Sequence, residues 1–548
     1  MTIPDIYIPG KAFNCRSTHY DRPSAAYLIV VSFTLAFFTI ALFLHFEYST
    51  NDDYGNIKLL RAGDFSPNLG LLLNAALVAL YKTNRLVPWY GLSLGLAALL
   101  GLINMFMLPP RVVVARIQLA TYASFFAAAV FITTVTPTYT SIAIVLGSCS
   151  ILCIYKSFLF KCSRYRLLSL GFAGLFLAAN IRMESLIAST AYTLPVVLIC
   201  VLKIKHRILC ILKTSIVVFL VWFIFLFANN IVVKHIASDE YVDYLLFFHT
   251  STSILGYPGV ITDGENFLRQ AKWNISDLSA FLRFDLFSES KFNIRTLRIL
   301  KLHWKTNTTF SYVSAMLNNV IHRDFGWICS LLFLWLVLCA TKQLRWFQFS
   351  LFLLYFFGIV ALFTLFLRFP ERISNPFYIS TFAVQATLMG NWRSKLHYKC
   401  LYAFVSCFCI ACTIVYFFLN RSCDCDVEER LASIQTINTL YDDSLIMPYY
   451  CDSIVYYTTL FHENYIENIL PNGWLSFSPS HYALLRKHGF SSNDDLYKEI
   501  TLADGIFFIT SPWCAKQTTK TLRERGLPVE LQFDKQIASY SLYRVSHE

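Results

Sequence analysis

Apolar runs of roughly 20 residues recur along the first 420 positions of this 548-residue chain. A run of that length is what an α-helix needs to cross the hydrocarbon core of a bilayer. Only 15% of the residues are charged, against roughly 25% in soluble domains, so a soluble protein of this size is excluded. The runs also differ from the alternating strands of an outer-membrane barrel. The sequence therefore predicts a polytopic α-helical membrane protein.

Basic residues in the short loops between the apolar runs indicate the orientation of the chain. We predict about eleven spans, since each needs roughly 17–25 mostly apolar residues. Lys and Arg gather in the loops at residues 156–166, 203–207 and 393–399, and basic loops of this kind stay in the cytoplasm. The N-terminus is then cytoplasmic, and an odd number of spans puts the C-terminus outside. The net charge of +12 thus reflects topology and not a nucleic-acid partner.

Composition divides the chain into three predicted parts. Residues 1–24 form a cytoplasmic tail, and residues 25–420 form the membrane domain, with outer loops at 47–86 and 233–324. Residues 421–548 hold 11 Lys/Arg against 17 Asp/Glu and form a soluble extracytoplasmic domain. We expect a small α/β fold there, because strand-like and helix-like segments alternate, at 482–487 (helix), 505–510 (strand), 516–525 (helix) and 538–545 (strand).

An acidic pair, Asp52 and Asp53, follows the first apolar run. Ionisable residues beside membrane spans are uncommon and often functional. Two adjacent carboxylates repel each other, which favours proton uptake by one of them and suits a general base or a cation site. A solvated loop is the plain alternative, but amphipathic segments follow at 57–61 and 69–81 and could roof a cavity.

Two further charged clusters lie at predicted outer turns. Arg182 and Glu184 connect two short spans, an arrangement that often marks a site at membrane depth. Arg368, Glu371 and Arg372 lie in a loop between the ninth and tenth spans, where positive charge opposes the positive-inside tendency. Because a guanidinium offers paired donors, we expect an anionic ligand such as a phosphate. A hairpin turn with a snorkelling arginine and a solvated loop are the alternatives.

Together these clusters resemble the GT-C superfamily of integral-membrane glycosyltransferases, which use polyprenyl-phosphate-linked sugars. The resemblance rests on residues 51–54 and 60–63 after the first span, and on residues 370–372 with Pro376. It extends over residues 25–548, since many bacterial members also end in a soluble outer domain. It implies a GT-C-like membrane fold, and we expect the protein in a bacterial inner membrane.

The resemblance also implies roles for individual residues. Asp53 or Asp52 would accept the proton of the acceptor hydroxyl as it attacks the anomeric carbon, normally with inversion. Arg372, with Arg368 or Arg182, would bind the lipid phosphate of the donor and stabilise its leaving charge.

Other components of the reaction are less constrained. Tyr54, Glu184 and Glu371 adjoin the charged clusters, and we expect them to bind substrate. We assign no metal ligands, although some GT-C members need a divalent cation such as Mg²⁺ or Mn²⁺, and carboxylates are available at 239–240 and 263–265. The sugar, a hexose or a pentose, and the acceptor, a lipid-linked glycan or a similar glycolipid, stay open.

Two other functions share several of these features. A transporter or flippase of lipid-linked oligosaccharide would also have many apolar helices, but alternating access normally places charges near the membrane midplane. An O-antigen-type polymerase also works on the outer face with arginine-rich loops. The acidic pair directly after the first span favours the transferase.

Overall fold

The structure is a computed structural model that describes most of the chain. The described positions are 48, 51–108, 137–159, 164–201, 205–235, 238–255, 259–282, 288–306, 310–340, 345–364, 370–388, 407, 410–411, 427–448, 456–458, 463–471, 473–500, 505–524, 526–527, 529–537 and 540–547. The first predicted span (25–46), the third (117–135), most of the eleventh (401–419) and Arg368 lie outside them.

Long helices make up the described part of the membrane domain. They are α1 (Asn51–Ala62), α2 (Leu71–Thr83), α3 (Trp89–Phe106), α4 (Tyr139–Leu159), α5 (Arg164–Ile181), α6 (Met183–Val201), α7 (Lys205–His235), α12 (Phe310–Ala340), α13 (Trp346–Leu362) and α14 (Glu371–Leu388). Within the described residues, four helices are long and apolar enough to cross a membrane, with windows at Trp89–Phe106, Tyr139–Leu159, Ile208–Ile231 and Ser314–Ala340. The prediction of a polytopic α-helical membrane protein is confirmed.

Helix α4 lies at the centre of this bundle and is buried along almost its whole length. Apolar side chains on one side of α4 belong to a core cluster with side chains of α12, α13 and α14. In this cluster the rings of Trp335 from α12 and Phe352 from α13 stack at 3.7 Å. Another side packs with α1, α2 and α3. The first turn of α4 is therefore held between elements that lie far apart in the sequence.

Two of the described helices have a proline in their interior, and in both the carbonyl that the proline leaves unbonded is used by a neighbouring helix. Proline has no N–H to donate to the carbonyl four residues earlier. Pro376 thereby frees the carbonyl of Arg372, which accepts a hydrogen bond from Ser141 Oγ at 3.1 Å. Pro195 frees the carbonyl of Ala191, which accepts one from the Tyr355 hydroxyl. Each proline thus supports a helix–helix contact.

The loop predicted around Arg372 is wrong. The segment from Pro370 to Pro376 is not a loop, because α14 begins at Glu371 and continues through Pro376. Pro370 directly precedes the helix, where its missing N–H and fixed φ are compatible with a helix start. The acidic pair likewise lies in the first turn of α1, where carboxylates interact favourably with the helix dipole.

Short elements follow α7 in the predicted outer region. They are α8 (Asp239–Leu255), β1 (Gly259–Ile261), α9 (Gly264–Ala271), α10 (Ile275–Leu282), α11 (Ile294–His303) and β2 (Trp304–Thr306). Strands β1 and β2 pair antiparallel. The helices enclose an aromatic core that includes Trp273, Phe281 and Phe292.

The C-terminal region mixes helices and strands, as predicted. Its elements are α15 (Val427–Leu440), β3 (Leu445–Pro448), β4 (Tyr456–Thr458), β5 (Glu463–Tyr465), α16 (Pro479–Lys487), α17 (Asn493–Glu499), β6 (Ile506–Ile509), α18 (Pro512–Glu524), β7 (Val529–Ile537) and β8 (Tyr540–His547). A four-stranded sheet has the order β3-β6-β8-β7, with β3 and β6 parallel and the other pairs antiparallel. Strands β4 and β5 form a separate antiparallel pair.

Candidate active site

Asp53 is fully buried in the first turn of α1 and is held by two hydrogen bonds from other helices. The Tyr90 hydroxyl, from the start of α3, donates to Asp53 Oδ1 at 2.7 Å. The backbone N–H of Tyr139, at the start of α4, donates to the same oxygen at 3.2 Å. These two donors fix the position and orientation of the carboxylate.

The N-terminus of α4 faces this carboxylate. Thr138 precedes the helix, and its Oγ1 accepts a hydrogen bond from the backbone N–H of Ser141 at 3.0 Å, as an N-cap threonine does. The N-terminus of a helix carries a partial positive charge and favours nearby anions. The Asp53 carboxylate therefore lies where negative charge is stabilised without a metal ion.

Arg372 and Asp52 form an ion pair beside Asp53. Arg372 Nη1 donates to Asp52 Oδ2 at 2.8 Å, and the side chains are 34% and 23% exposed. The guanidinium and its partner are thus reachable from solvent, whereas Asp53 is not exposed at all. The site combines an enclosed carboxylate with an accessible arginine.

Arg182 approaches the same point from the turn between α5 and α6. Its Nη1 donates to the Tyr139 hydroxyl at 2.8 Å and to Thr140 Oγ1 at 2.5 Å, and its guanidinium lies over the Tyr139 ring at 5.1 Å. Arg182 experiences the charges of Asp52 and Asp53. Its Nε also forms an ion pair with Glu184 at 3.5 Å, and the Glu184 side chain is 71% exposed.

The structure thus brings together Asp52, Asp53, Arg182 and Arg372, which the sequence analysis singled out from three separate segments. The other predicted substrate contacts are placed differently. Tyr54 is buried and packs edge to face with Tyr465 at 5.9 Å, so it faces protein.

A second ion pair, between Arg323 and Asp324, lies near the start of α14, which carries Glu371 and Arg372. Glu371 is partly buried and within electrostatic range of Arg323. Arg323 donates to both oxygens of the buried Asp324, at 2.8 and 2.9 Å, and to Ser374 Oγ at 3.1 Å. The Tyr378 hydroxyl donates to Asp324 at 3.0 Å. These contacts fix the start of α14, and with it Arg372.

Sequence reasoning missed Tyr90, Tyr139 and Thr140. The Thr138 cap before an apolar run was a readable sign of a helix start, and it would have pointed to the first turn of α4. Nothing in the sequence around Tyr90 marks it, because tyrosine is common at the ends of membrane helices. Its role is visible only in the structure, through its hydrogen bond to Asp53.

The carboxylates of this site do not fit a divalent cation. Asp52 is paired with Arg372, and Asp53 Oδ1 accepts hydrogen bonds from Tyr90 and Tyr139. In the part of the chain that the structure describes, no group of three His, Cys, Asp or Glu residues is arranged to hold a metal ion. The residues offered at 239–240 and 263–265 form no such group. A role for Mg²⁺ or Mn²⁺ stays a prediction.

No family model matches the chain, and no curated protein matches it. Among solved structures, the chain is similar to the crystal structure of ArnT from Cupriavidus metallidurans in the apo state. The identity is 10%, the TM-score is 0.38, and the match covers 94% of this chain and 98% of that one. The same protein bound to undecaprenyl phosphate matches with 10% identity, a TM-score of 0.31, and coverage of 94% and 97%. A likeness this weak leaves the function to be inferred from the site itself.

Proposed function

We propose that the protein is a membrane glycosyltransferase that moves a sugar, a hexose or pentose, from a polyprenyl-phosphate donor to a glycan or glycolipid acceptor. The observation that supports this proposal is that the buried Asp53 lies beside Arg372 and Arg182 at the N-terminus of α4. Transfer from a lipid phosphate needs a base for the acceptor hydroxyl and cations for the leaving phosphate. This arrangement supplies both.

Asp53 is the proposed general base. Its carboxylate is oriented by Tyr90 and Tyr139 and is already shielded from water. It would take the proton of the acceptor hydroxyl while the hydroxyl oxygen bonds to the anomeric carbon and the bond from that carbon to the phosphate oxygen breaks. Attack opposite the leaving phosphate inverts the configuration, and the electron pair of the broken bond leaves on the lipid phosphate.

Arg372 and Arg182 are the proposed phosphate ligands. The planar guanidinium donates paired hydrogen bonds to phosphate oxygens, and charge develops on the leaving phosphate in the transition state. About a third of the Arg372 side chain is exposed, and its guanidinium already pairs with an anion, the Asp52 carboxylate. We infer that the donor phosphate competes with Asp52 for this guanidinium, so Asp52 holds the arginine in place before the donor binds. Arg368 lies outside the described residues and stays a predicted third ligand.

Glu184 is the proposed contact for acceptor hydroxyls, because its side chain is well exposed beside Arg182. Glu371 would act through its neighbours rather than by direct contact, since Arg323 lies within its electrostatic range. Tyr54 fits a packing role against the C-terminal region better than a substrate contact.

The proposed location is a bacterial inner membrane, with the site and the C-terminal region on the periplasmic face. Basic loops at 156–166 and 203–207 support a cytoplasmic position for the opposite ends of the helices. A C-terminal alkaline phosphatase fusion should be active, and a C-terminal green fluorescent protein fusion should be dark. The reverse result would contradict this orientation.

The transporter and polymerase alternatives are less well supported. The charged residues of the proposed site lie at the starts of α1 and α14 and in the turn before α6, next to the N-terminus of α4. Alternating access would normally place the binding site near the midplane between interrupted helices. A polymerase would share the arginines, and the enclosed Asp53 base favours the transferase.

The proposed function is tested with purified protein and a panel of polyprenyl-phosphate sugars. Sugar transfer and polyprenyl-phosphate binding are measured separately for the wild type, Asp53→Asn and the exposed matched control Asp443→Asn. Removing a positioned base costs about 10²–10⁴-fold, so Asp53→Asn should abolish detectable transfer while still binding the lipid phosphate. The Asp443→Asn variant should transfer normally. Turnover by Asp53→Asn above about a tenth of the wild type, well short of that loss, would falsify the proposal.

A further inference from the structure

Strands β4 and β5 of the C-terminal region pack directly on the helix that carries the acidic pair. The backbone N–H of Tyr48 donates to the Thr458 carbonyl at 3.2 Å. At the other end of α1, Arg61 Nη1 donates to the Glu463 carbonyl at 3.0 Å, and its guanidinium lies over the Tyr465 ring at 5.1 Å. The C-terminal region therefore packs against α1 and against the residue Tyr48 that precedes it.

A continuous chain of contacts runs from Glu463 to Asp53. The Tyr81 hydroxyl donates to Glu463 Oε1 at 2.6 Å. The same hydroxyl accepts a hydrogen bond from the backbone N–H of Tyr90 at 3.0 Å. The Tyr90 side chain then donates to Asp53 Oδ1 at 2.7 Å. Glu463 thus contacts, through one tyrosine, the residue that orients the proposed base.

We propose that Glu463 is a positioning residue for the Asp53 carboxylate, acting through Tyr81 and Tyr90, so that one residue of the C-terminal region helps to orient the proposed base. This inference rests on the proposed function, in which Asp53 is the base. Glu463 touches none of the reacting groups itself. Its contribution is to hold the first turn of α3, from which the Tyr90 hydroxyl reaches Asp53.

The enclosure of this chain makes each contact necessary. Tyr81 is 1% exposed and Tyr90 is not exposed, so in the wild type their polar groups depend on these protein partners and not on water. If the Glu463 carboxylate is removed, the Tyr81 hydroxyl loses its acceptor, and its O–H is free to rotate toward another acceptor. The Tyr90 N–H then loses its own acceptor, since the start of a helix has no partner within the helix for that group.

Asn56 gives the Tyr90 hydroxyl a second constraint. Its Nδ2 donates to the hydroxyl at 3.0 Å, and its Oδ1 accepts from Ser66 Oγ at 2.6 Å. The tyrosine hydroxyl therefore has a fixed donor and a fixed acceptor. A shift of the α3 backbone would break this arrangement and move the hydroxyl away from Asp53, whereas the arginines on α14 and in the turn before α6 would stay in place.

The test compares Glu463→Ala, Glu463→Gln and Tyr81→Phe in the transfer assay. A misplacement of about 1 Å can cost on the order of 100-fold in rate, so Glu463→Ala and Tyr81→Phe should each lower kcat about 10- to 100-fold. The KM for the donor and the affinity for polyprenyl phosphate should stay within about 2-fold of the wild type, because the arginines bind the phosphate. The Glu463→Gln variant keeps a carbonyl acceptor for Tyr81 and should keep most of the wild-type kcat.

A double variant separates positioning from general destabilisation. Glu463 and Tyr81 act in series, so Glu463→Ala with Tyr81→Phe should lose no more activity than either alone. Independent structural damage would multiply the two losses. Tyr441→Phe is the matched control, because its hydroxyl bonds Asp534 at 2.8 Å within the same region, and it should leave kcat unchanged.

The outcomes distinguish this inference from the function on which it rests. A wild-type kcat in Glu463→Ala, together with an inactive Asp53→Asn, overturns the positioning role and leaves the transferase intact. An active Asp53→Asn overturns both. If Glu463→Ala does not fold, Tyr81→Phe and Glu463→Gln decide the matter, and equal kcat losses in those two variants also overturn the inference.

Discussion

Arg372 donates a 2.8 Å hydrogen bond to Asp52, a residue 320 positions earlier in the chain. The carbonyl of the same arginine accepts from Ser141 at the start of α4. One residue therefore joins α14 to α1 through its side chain and to α4 through its backbone. Because both its side chain and its backbone are already fixed, Arg372 would lose little further conformational freedom when it binds a ligand.

The Arg372→Lys substitution should weaken donor binding although it keeps the charge. Lysine loses the planar fork that engages two phosphate oxygens. Hydrogen bonds to charged groups contribute about 1.5–3 kcal/mol, so the Kd for polyprenyl phosphate should rise about 10- to 100-fold. Isothermal titration calorimetry in detergent measures it. Arg345→Lys, an exposed arginine at the start of α13, is the control, and an unchanged Kd in Arg372→Lys contradicts the assignment.

The Asp52→Asn substitution should have the opposite effect on binding. The asparagine amide cannot compete electrostatically with a phosphate for Arg372, so polyprenyl phosphate should bind several-fold more tightly. Transfer should fall less than in Asp53→Asn, because the proposed base is still present. Comparing the two variants in the same binding and transfer assays shows which carboxylate contributes more to sugar transfer. Complete loss of transfer in Asp52→Asn with normal transfer in Asp53→Asn would contradict the assignment of Asp53 as the base.

Gly55 allows α1 to approach the C-terminal region. A Cβ at this position would lie 2.7 Å from Trp474 Cη2 and closer still to Cζ2, and a buried indole cannot move aside cheaply. We expect Gly55→Ala to destabilise the protein by about 1–3 kcal/mol, as overpacking does, and to lower kcat by shifting the acidic pair. Gly358→Ala is the control, since nothing lies within 4 Å of a Cβ there. Equal melting temperatures for the two alanine variants would contradict this packing.

Glu463 should make stability depend on pH below neutrality. Burial raises the pKa of Glu463 from 4.5 to about 7, although Tyr81, Arg61 and the Gly91 N–H each act to lower it. The folded state therefore binds more protons than the unfolded state between pH 4.5 and 7, so this contribution is complete below 4.5 and is lost as pH rises through 7. Relative to Glu463→Gln, the wild type should lose on the order of 1–3 kcal/mol of stability across that window. Unfolding in detergent from pH 4.5 to 8 measures it, and parallel curves would contradict the prediction.

Lys58 should act in the opposite direction above neutrality. Burial lowers its pKa from 10.5 to about 7, and its ammonium group donates to the Ile469 carbonyl. The unfolded state then binds more protons between pH 7 and 10.5, so stability rises with pH there. The difference in melting temperature between the wild type and Lys58→Met should move in favour of the wild type from pH 7 to 10. A constant difference would contradict the buried position of this lysine.

Much of the architecture could be predicted because its causes are local. Strands β6 and β8 and helices α16 and α18 lie close to the predicted segments, since side-chain alternation and turn residues act over a few positions. The turn expected between the two short spans beside Arg182 lies where predicted, since α5 ends at Ile181 and α6 begins at Met183. The loop at residues 370–376 was wrong because two prolines suggest a break, whereas one precedes the helix and the other has its lost bond replaced by Ser141.

The sequence by itself determined that the chain is a helical membrane protein, and it singled out Asp52, Asp53, Arg182 and Arg372 as chemically unusual. Both results follow from the cost of placing charge beside a bilayer, which single residues reveal. Only the tertiary structure decided that these four meet at the start of α4, and that Tyr90, Tyr139 and Glu463 orient the proposed base. Such contacts join residues 37 to 382 positions apart, and their geometry is set by how the buried helices pack, which no local pattern encodes.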